Sequence, residues 1–88
     1  MSLPQFILYS RSYCHLCDDM LLALKSKFSA STYQLSVQDV DQDPAALALY
    51  DELVPVLVVR AENGTETELC HYFLNEERVS EFLMSYGK

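Results

Sequence analysis

The sequence predicts an α/β domain in which strands and helices follow the order β-α-β-α-β-β-α. Short apolar runs of strand length alternate with segments whose apolar residues recur every three or four positions, as they do in helices. The dipeptide Asn63-Gly64 separates two strand-like runs and indicates a β-hairpin, because both residues tolerate a positive φ. A chain of 88 residues suits a single domain, so we expect residues 1–88 to fold around one four-stranded mixed sheet.

The first half of the chain predicts a parallel β-α-β unit. Residues 5–9 (QFILY) form a strand-length apolar run, and a helical pattern begins near Cys14. One face of that helix carries Cys17, Leu21, Leu24 and Phe28. The second strand lies within residues 32–40, where Tyr33, Leu35 and Val37 alternate with polar residues. A right-handed crossover through the helix makes the two strands parallel.

The second half of the chain predicts a helix, a hairpin and a last helix. Asp43 caps a short helix over residues 44–52, with Leu47 and Tyr50 facing inward. Residues 55–60 (PVLVVR) form a buried strand, and the return strand covers residues 66–72. Asn75 caps the last helix. Its core-facing residues are Val79, Phe82, Leu83 and Tyr86.

Composition and charge exclude several classes of function. The formal net charge is −7, with six Lys and Arg scattered along the chain, so we expect neither nucleic acid nor an anionic membrane surface as a partner. No apolar run is long enough to cross a bilayer, and the N-terminal residues do not resemble a secretory signal. We therefore expect a cytoplasmic protein. Its three cysteines, an odd number, do not suggest a framework of structural disulfides.

Cys14 and Cys17 form a C-x-x-C motif at the predicted start of the first helix. Cys14 precedes the apolar face and should reach solvent, whereas Cys17 begins that face and should be partly buried. The unpaired N–H groups and the dipole of a helix start favour the reactive thiolate. Arg11 and His15 would reinforce this effect, and Asp18 and Asp19 would oppose it. The arrangement suits two-step disulfide exchange. The alternative is a pair of helix cysteines without a chemical role.

The segments LYSRSYCHLC, VDQDP and LVPVLVV together resemble the glutaredoxins, over nearly the whole chain. The resemblance implies a minimal thioredoxin fold and a thiol–disulfide oxidoreductase that serves electron transport and redox homeostasis in the cell. It assigns Cys14 as the nucleophile and Cys17 as the resolving cysteine. No bound cofactor is implied, and glutathione is a candidate co-substrate.

The resemblance also implies a substrate groove. Pro55 matches a proline that is cis in this fold and lies beside the cysteines, which leaves the backbone of Val54 facing outward to pair with glutathione or a peptide. Arg11 occupies the position of a basic residue that binds a glutathione carboxylate. The alternatives are a trans proline that starts a strand and a solvated surface arginine.

Two residues beside Cys14 have alternative roles. His15, as a cation, would stabilise the neighbouring thiolate and make the disulfide easier to reduce; otherwise it is an ordinary surface residue. Tyr13 shields the site or stacks on substrate, or is a plain surface tyrosine. These residues complete the predicted substrate-binding set with Arg11, Val54 and Pro55.

The sequence departs from the glutaredoxin pattern at two places. His15-Leu16 stands between the cysteines where glutaredoxins usually carry Pro-Tyr. The Gly-Gly that precedes the last helix in glutaredoxins is missing, and the corresponding region reads CHYFLNEER. Phe73 or Leu74 would crowd the approach of glutathione there, and Glu76 and Glu77 would oppose its carboxylates. These departures argue against specificity for glutathione.

Two other classes of function remain open at this point. Cys14, His15, Cys17, Cys70 and His71 offer ligand types that suit zinc. The predicted sheet separates Cys70 and His71 from the first helix, so we expect no metal site. An iron–sulfur cluster shared between two chains would need a glutathione site, and the two departures described above argue against one. A redox-inactive module that binds a peptide on the same scaffold is the other alternative. We expect a monomer whose partner is a protein or low-molecular-weight disulfide.

Overall fold

A mixed β-sheet with helices on both faces organises the chain, whose computed structural model describes residues 3–86. The strands are β1 (Gln5–Ser10), β2 (Gln34–Asp39), β3 (Val56–Arg60) and β4 (Glu66–His71). The helices are α1 (His15–Lys27), α2 (Pro44–Tyr50) and α3 (Glu76–Ser85), and short 3-10 turns cover Ala30–Thr32 and Val40–Gln42. The predicted order of elements is therefore confirmed. Within residues 3–86, no helix has the length and apolar character needed to span a bilayer.

The four strands lie in the order β2-β1-β3-β4. β1 runs parallel to β2 and antiparallel to β3, and β3 runs antiparallel to β4. Ser10 is therefore opposite Asp39, while Val56 is opposite both Tyr9 and His71. These residues mark one end of the sheet, which we call the upper end. The loops that follow β1, β2 and β4, and the loop that precedes β3, all meet there.

The strands alternate their side chains between two cores, as a sheet covered on both faces requires. One core lies under α1 and α3 and contains Phe6, Leu8, Met20, Leu24, Leu57 and Val79 among its buried residues. The other lies under α2 and contains Ile7, Tyr9, Val40, Ala46, Val56 and Val58. The domain thus has three layers, with the sheet in the middle.

The helix starts follow from the predicted capping residues. Asp43 Oδ1 accepts hydrogen bonds from the N–H groups of Ala45 (3.1 Å) and Ala46 (3.3 Å), and Pro44 occupies the first helical position of α2. Asn75 Oδ1 accepts from Arg78 N–H at 3.1 Å at the start of α3. Both caps satisfy backbone donors that a helix start leaves without intrahelical partners.

Several details differ from the sequence-based expectation. α2 ends at Tyr50, two residues early, and Tyr86 lies just beyond α3 at its C-cap. Met20 is buried on α1 although the apolar face predicted for this helix did not include it. Val37 is 51% exposed because β2 is an edge strand that packs against the helices incompletely.

β4 contains an irregularity near its end. Leu57 pairs with Cys70 and Val58 with Glu68, so Leu69 is an extra residue on β4. Such a β-bulge bends the strand locally. As a result both Leu69 and Cys70, although adjacent in sequence, belong to the core under α1 and α3.

The predicted hairpin between β3 and β4 forms, but only one of its two turn residues uses a positive φ. Gly64 has φ 90°, whereas Asn63 is outside the positive region. Gly64 N–H donates to the Ala61 carbonyl at 2.9 Å, and Ala61 N–H donates to the Thr65 carbonyl at 2.8 Å. Asn63 instead contributes its side chain, which accepts from Thr65 N–H at 3.0 Å. The turn therefore depends on glycine at one position.

Gly64→Ala should destabilise the protein by about 1–2 kcal/mol, because an L side chain strains this backbone conformation. No atom lies within 4 Å of a Cβ added at Gly64, so the effect is one of backbone strain and not of crowding. Urea unfolding monitored by circular dichroism measures it. Gly64→Asn is the control and should lose less, since Asn tolerates positive φ better than Ala does. Equal unfolding midpoints for wild type and Gly64→Ala would contradict the prediction.

Candidate functional site

The loop between β1 and α1 holds both cysteines of the C-x-x-C motif. Cys14 is the N-cap of α1, with extended backbone angles, and its Sγ accepts a hydrogen bond from Cys17 N–H at 3.1 Å. Cys14 is half-buried, whereas the Cys17 side chain is 4% exposed and packs under the helix. The predicted asymmetry is therefore present: Cys14 is partly accessible from solvent and Cys17 is covered.

The structure pairs Cys14 and Cys17 as a disulfide. Their Cα atoms are 5.2 Å apart, within the roughly 4.4–6.8 Å range usual for disulfides. The backbone of the loop and first helical turn thus accommodates the oxidised form. The same turn directs a backbone N–H at Cys14 Sγ, where it would stabilise a thiolate in the reduced form. Asp18, in this first turn, adds negative charge that acts in the opposite direction.

The peptide bond between Val54 and Pro55 is cis, as the resemblance implied. Pro55 is buried and directly precedes β3, which places it at the upper end of the sheet with the cysteine loop. Its carbonyl accepts a hydrogen bond from Tyr72 N–H at 2.9 Å. Within residues 3–86, no hydrogen bond engages the main-chain N–H or carbonyl of Val54. The side chain of Val54 is half-buried against the core under α2.

Arg11 is held between two carboxylates. Its Nη2 lies 2.9 Å from Asp41 Oδ1 and its Nε 3.2 Å from Asp41 Oδ2, which makes the contact bidentate. Its Nη1 lies 2.9 Å from Asp51 Oδ1. The guanidinium thereby links the cysteine loop to the 3-10 turn after β2 and to the end of α2. The predicted contact of Arg11 with a substrate carboxylate would have to compete with these two partners.

The Arg11 guanidinium holds the pKa of the Asp41 carboxyl below its usual range, mainly through their hydrogen bonds. Arg11→Gln should therefore raise the pKa of Asp41 toward the ordinary value, as followed by carboxyl carbon shifts in an NMR pH titration. Because the folded pKa is depressed, the pair stabilises the fold above the unfolded pKa, and this stabilisation is lost as pH falls through the folded pKa. Arg60→Gln, which removes the partner of Glu66 instead, is the control. An Asp41 titration unchanged by Arg11→Gln would refute the assignment.

Tyr13 and His15 flank Cys14 at the surface. The Tyr13 side chain is fully exposed, at 102%, and its backbone takes φ 60°, an uncommon conformation for a residue with a side chain. His15 is exposed on the first turn of α1. In the described part of the chain, no hydrogen bond or ion pair fixes either side chain. Both remain available to a bound molecule.

The loop after β4 contributes a residue that the sequence interpretation missed. Tyr72 has φ 64°, donates its N–H to Pro55 and donates its hydroxyl to the Glu52 carbonyl at 3.0 Å. It therefore ties this loop to both sides of the cis proline. The neighbouring Phe73 is 68% exposed. The predicted hairpin implied this proximity, because a strand antiparallel to β3 must end where β3 begins.

Cys70 and His71 do not join the cysteine loop. Cys70 is buried on β4, which β3 separates from β1, and burial raises the pKa of its thiol. His71 Nδ1 lies 2.8 Å from Glu68 Oε2. Among residues 3–86, no three His, Cys, Asp or Glu side chains cluster in a way that could hold a metal ion. The structure thus does not assemble the ligand set considered for zinc.

A groove of about 1060 Å³ lies at the end of the sheet opposite the cysteines. Leu3, Gln5, Arg60, Thr65 and Phe82 are among its lining residues. Its position follows from the strand order, since it borders the starts of β1, β2 and β4 and the end of β3. No cysteine is among its lining residues.

Comparisons with known proteins agree with this architecture. The profile of the Glutaredoxin-like domain (DUF836) matches residues 5–84. The structure of protein Ne2328 from Nitrosomonas europaea is similar, with 30% identity over 93% of each chain and a TM-score of 0.78. The structure of target protein XcR50 from X. campestris is also similar, with 30% identity over 91% of this chain and 96% of that one and a TM-score of 0.62. Oxidized mitochondrial thioredoxin 3 from Saccharomyces cerevisiae shares the fold at 14% identity (92% of this chain and 76% of that one, TM-score 0.68). No curated protein matches the sequence significantly. The predicted thioredoxin fold is thus confirmed.

Proposed function

Because the chain belongs to the Glutaredoxin-like domain (DUF836) family and has the thioredoxin fold, we propose that it is a thiol–disulfide oxidoreductase. The observation that carries the proposal is the Cys14–Cys17 pair at the start of α1. Cys14 is half-buried, Cys17 is covered, and the separation of their Cα atoms suits the oxidised form. A pair of cysteines that only packed in the core would not need this asymmetry.

The reaction begins with the reduced protein and a substrate disulfide. The Cys14 thiolate attacks one substrate sulfur, so a Cys14–substrate disulfide forms and the first substrate thiolate leaves and takes up a proton. Cys17 then loses its proton and attacks Cys14 Sγ. The Cys14–Cys17 disulfide forms, the second substrate thiol is released, and two electrons have passed from the protein to the substrate. A dithiol or thiol reductant restores the reduced protein.

The cis proline region orients the substrate in this proposal. The free main-chain groups of Val54 pair with an extended segment next to the reacting sulfur, in the manner of a strand added to a sheet edge. Pro55 and Tyr72 hold Val54 in place through the hydrogen bond that joins their loops. Tyr13 and His15, the exposed neighbours of Cys14, contact the same segment in this proposal. The protein acts as a cytoplasmic monomer on a protein or low-molecular-weight disulfide.

The experiment that tests the proposal measures the redox state of each cysteine. The purified protein is equilibrated with buffers of defined ratios of glutathione to glutathione disulfide, free thiols are trapped by alkylation, and every cysteine is mapped by mass spectrometry. We expect a reversible Cys14–Cys17 disulfide with a potential between about −270 and −120 mV, the span of known catalysts of this type. Buried Cys70 is the internal control and should remain a thiol throughout.

Two outcomes would overturn the proposal. If Cys14 and Cys17 stay reduced in all buffers, the protein is better explained as a redox-inactive binding module on the same scaffold. Cysteines that arrive with a bound metal ion would support the metal-binding alternative.

A further inference from the structure

We propose that the substrate disulfide belongs to a positively charged polypeptide segment, and that Asp41 and Asp51 select it over anionic disulfides such as glutathione disulfide. The inference rests on the proposed function and specifies its substrate class. It follows from three features of the upper end of the sheet: the partners of Arg11, the surrounding carboxylates and two exposed aromatic rings.

The first feature is the state of Arg11. This arginine lies three residues before the nucleophilic Cys14. Its Nε and Nη2 groups bind the Asp41 carboxylate, and its Nη1 group binds the Asp51 carboxylate. The three side chains together carry a net charge of −1 at neutral pH. An incoming carboxylate would have to displace one of two tethered carboxylates and would meet a net negative group. The cation beside the cysteines therefore does not serve as an anion site.

The second feature is the excess of acidic side chains around the upper end of the sheet. They are Asp18 and Asp19 near the start of α1, Asp39 at the end of β2, Asp41 and Asp43 after β2, and Asp51 and Glu52 before the cis proline. In the described part of the chain, Asp41 and Asp51 form salt bridges with Arg11, and the other five form none. A surface with this excess attracts cations and repels anions.

Glu76 and Glu77 extend the negative surface to the opposite side of the cis proline. They are exposed in the first turn of α3, directly after the loop that Tyr72 ties to Pro55. Negative charge thus lies on the segment that precedes the cis proline and on the helix that follows the loop bonded to Pro55. A substrate segment paired with Val54 would pass between these carboxylates.

The third feature is the pair of exposed aromatic rings. The side chains of Tyr13 and Phe73 are 102% and 68% exposed, and they stand on the two loops that flank the cis proline. Aromatic faces attract ammonium and guanidinium groups. Rings on either side of the cis proline suit residues that precede and follow a substrate cysteine within a polypeptide. Glutathione has only one residue on each side of its cysteine and carries two carboxylates. Its amino group is the one cation that it offers to the aromatic rings.

The test uses single-turnover reduction by the fully reduced wild-type protein. The substrates are glutathione disulfide and two disulfide-linked peptides of one sequence, in which the residues that flank each cysteine are either Lys or Glu. At low ionic strength we expect the Lys peptide to react about tenfold faster than the Glu peptide, the lower end of the effect of electrostatic steering. Added salt should slow the Lys peptide and speed the Glu peptide, because it screens both attraction and repulsion.

Variants test the role assigned to the two aspartates. The double variant Asp41→Asn and Asp51→Asn releases Arg11 and removes two negative charges, so the preference for the Lys peptide should fall severalfold and reduction of glutathione disulfide should accelerate. The control is the double variant Glu62→Gln and Glu81→Gln, which removes the same charge from the hairpin turn and from the middle of α3. This control should keep the wild-type ratio of the Lys-peptide rate to the Glu-peptide rate.

The outcomes separate the two proposals. Reduced protein that reduces none of the three disulfides would overturn the proposed function. Reduction of all three at equal rates, or fastest reduction of glutathione disulfide, would overturn the substrate assignment and leave the proposed function standing. The substrate assignment would also be overturned if the Asp41 and Asp51 double variant kept the wild-type ratio of the Lys-peptide rate to the Glu-peptide rate. Any preference for the Lys peptide would then have another origin.

Discussion

Replacing Cys14 with serine should reduce disulfide turnover to the uncatalysed rate. Exchange requires a thiolate, and a serine hydroxyl is neither ionised at neutral pH nor able to form the sulfur–sulfur bond. Cys14 is the more exposed cysteine of the pair, so the covered Cys17 should not substitute for it. The measurement is the steady-state reduction of a peptide disulfide with a dithiol reductant in excess, compared with the rate in the absence of protein.

Two matched variants make this result specific. Cys17→Ser should still form the mixed disulfide on Cys14, which then accumulates and is detected as a covalent adduct by mass spectrometry. Cys70→Ala should retain the wild-type rate, because Cys70 is buried on the far side of β3. Turnover that survives in Cys14→Ser would contradict the assigned roles. If wild type and Cys14→Ser bound a partner equally well and neither catalysed turnover, the result would favour the redox-inactive binding module.

Phe6→Ala should destabilise the fold by about 3–5 kcal/mol, the usual cost of emptying a buried aromatic site. Phe6 is fully buried on β1, and its ring centroid lies 5.2 Å from that of Tyr33 and 5.9 Å from that of Phe82. A domain of this size has about 5–15 kcal/mol of stability in total, so the loss is a large fraction of it. Equilibrium urea unfolding of the reduced protein measures the change.

The control for this prediction is another phenylalanine. Phe73→Ala removes the same side chain from a site that is 68% exposed, and surface changes of this kind usually alter stability by less than about 0.5 kcal/mol. Comparable losses for Phe6→Ala and Phe73→Ala would contradict the burial that the structure assigns to them.

Sequence periodicity predicted the order of the elements because each element carries its own local pattern. Alternating or continuous apolar runs identified the strands, and Asp43 and Asn75 identified two helix starts. The predicted asymmetry of Cys14 and Cys17 was also a local inference. It required only that the apolar face of α1 begin at the second cysteine.

The remaining features depend on contacts between distant parts of the chain. Arg11 meets Asp41 and Asp51 across separations of 30 and 40 residues, and no local pattern encodes such pairs. Tyr72 meets Pro55 through two loops whose conformations depend on each other. Strand order explains why these loops are neighbours. It does not determine which side chains pair, since exposed loops offer many alternative partners.

The extra residue in β4, Leu69, has a consequence for self-association. β4 is an edge strand, and a straight edge with free backbone groups invites a second sheet to extend it, which is a route to aggregation. The bulge breaks the regular spacing of those groups and bends the edge, while Glu66 and Glu68 add charge beside it. A continuous intermolecular sheet along β4 would have to remove the bulge and would pull Leu69 or Cys70 out of the core. The packing of the core thus protects the exposed edge.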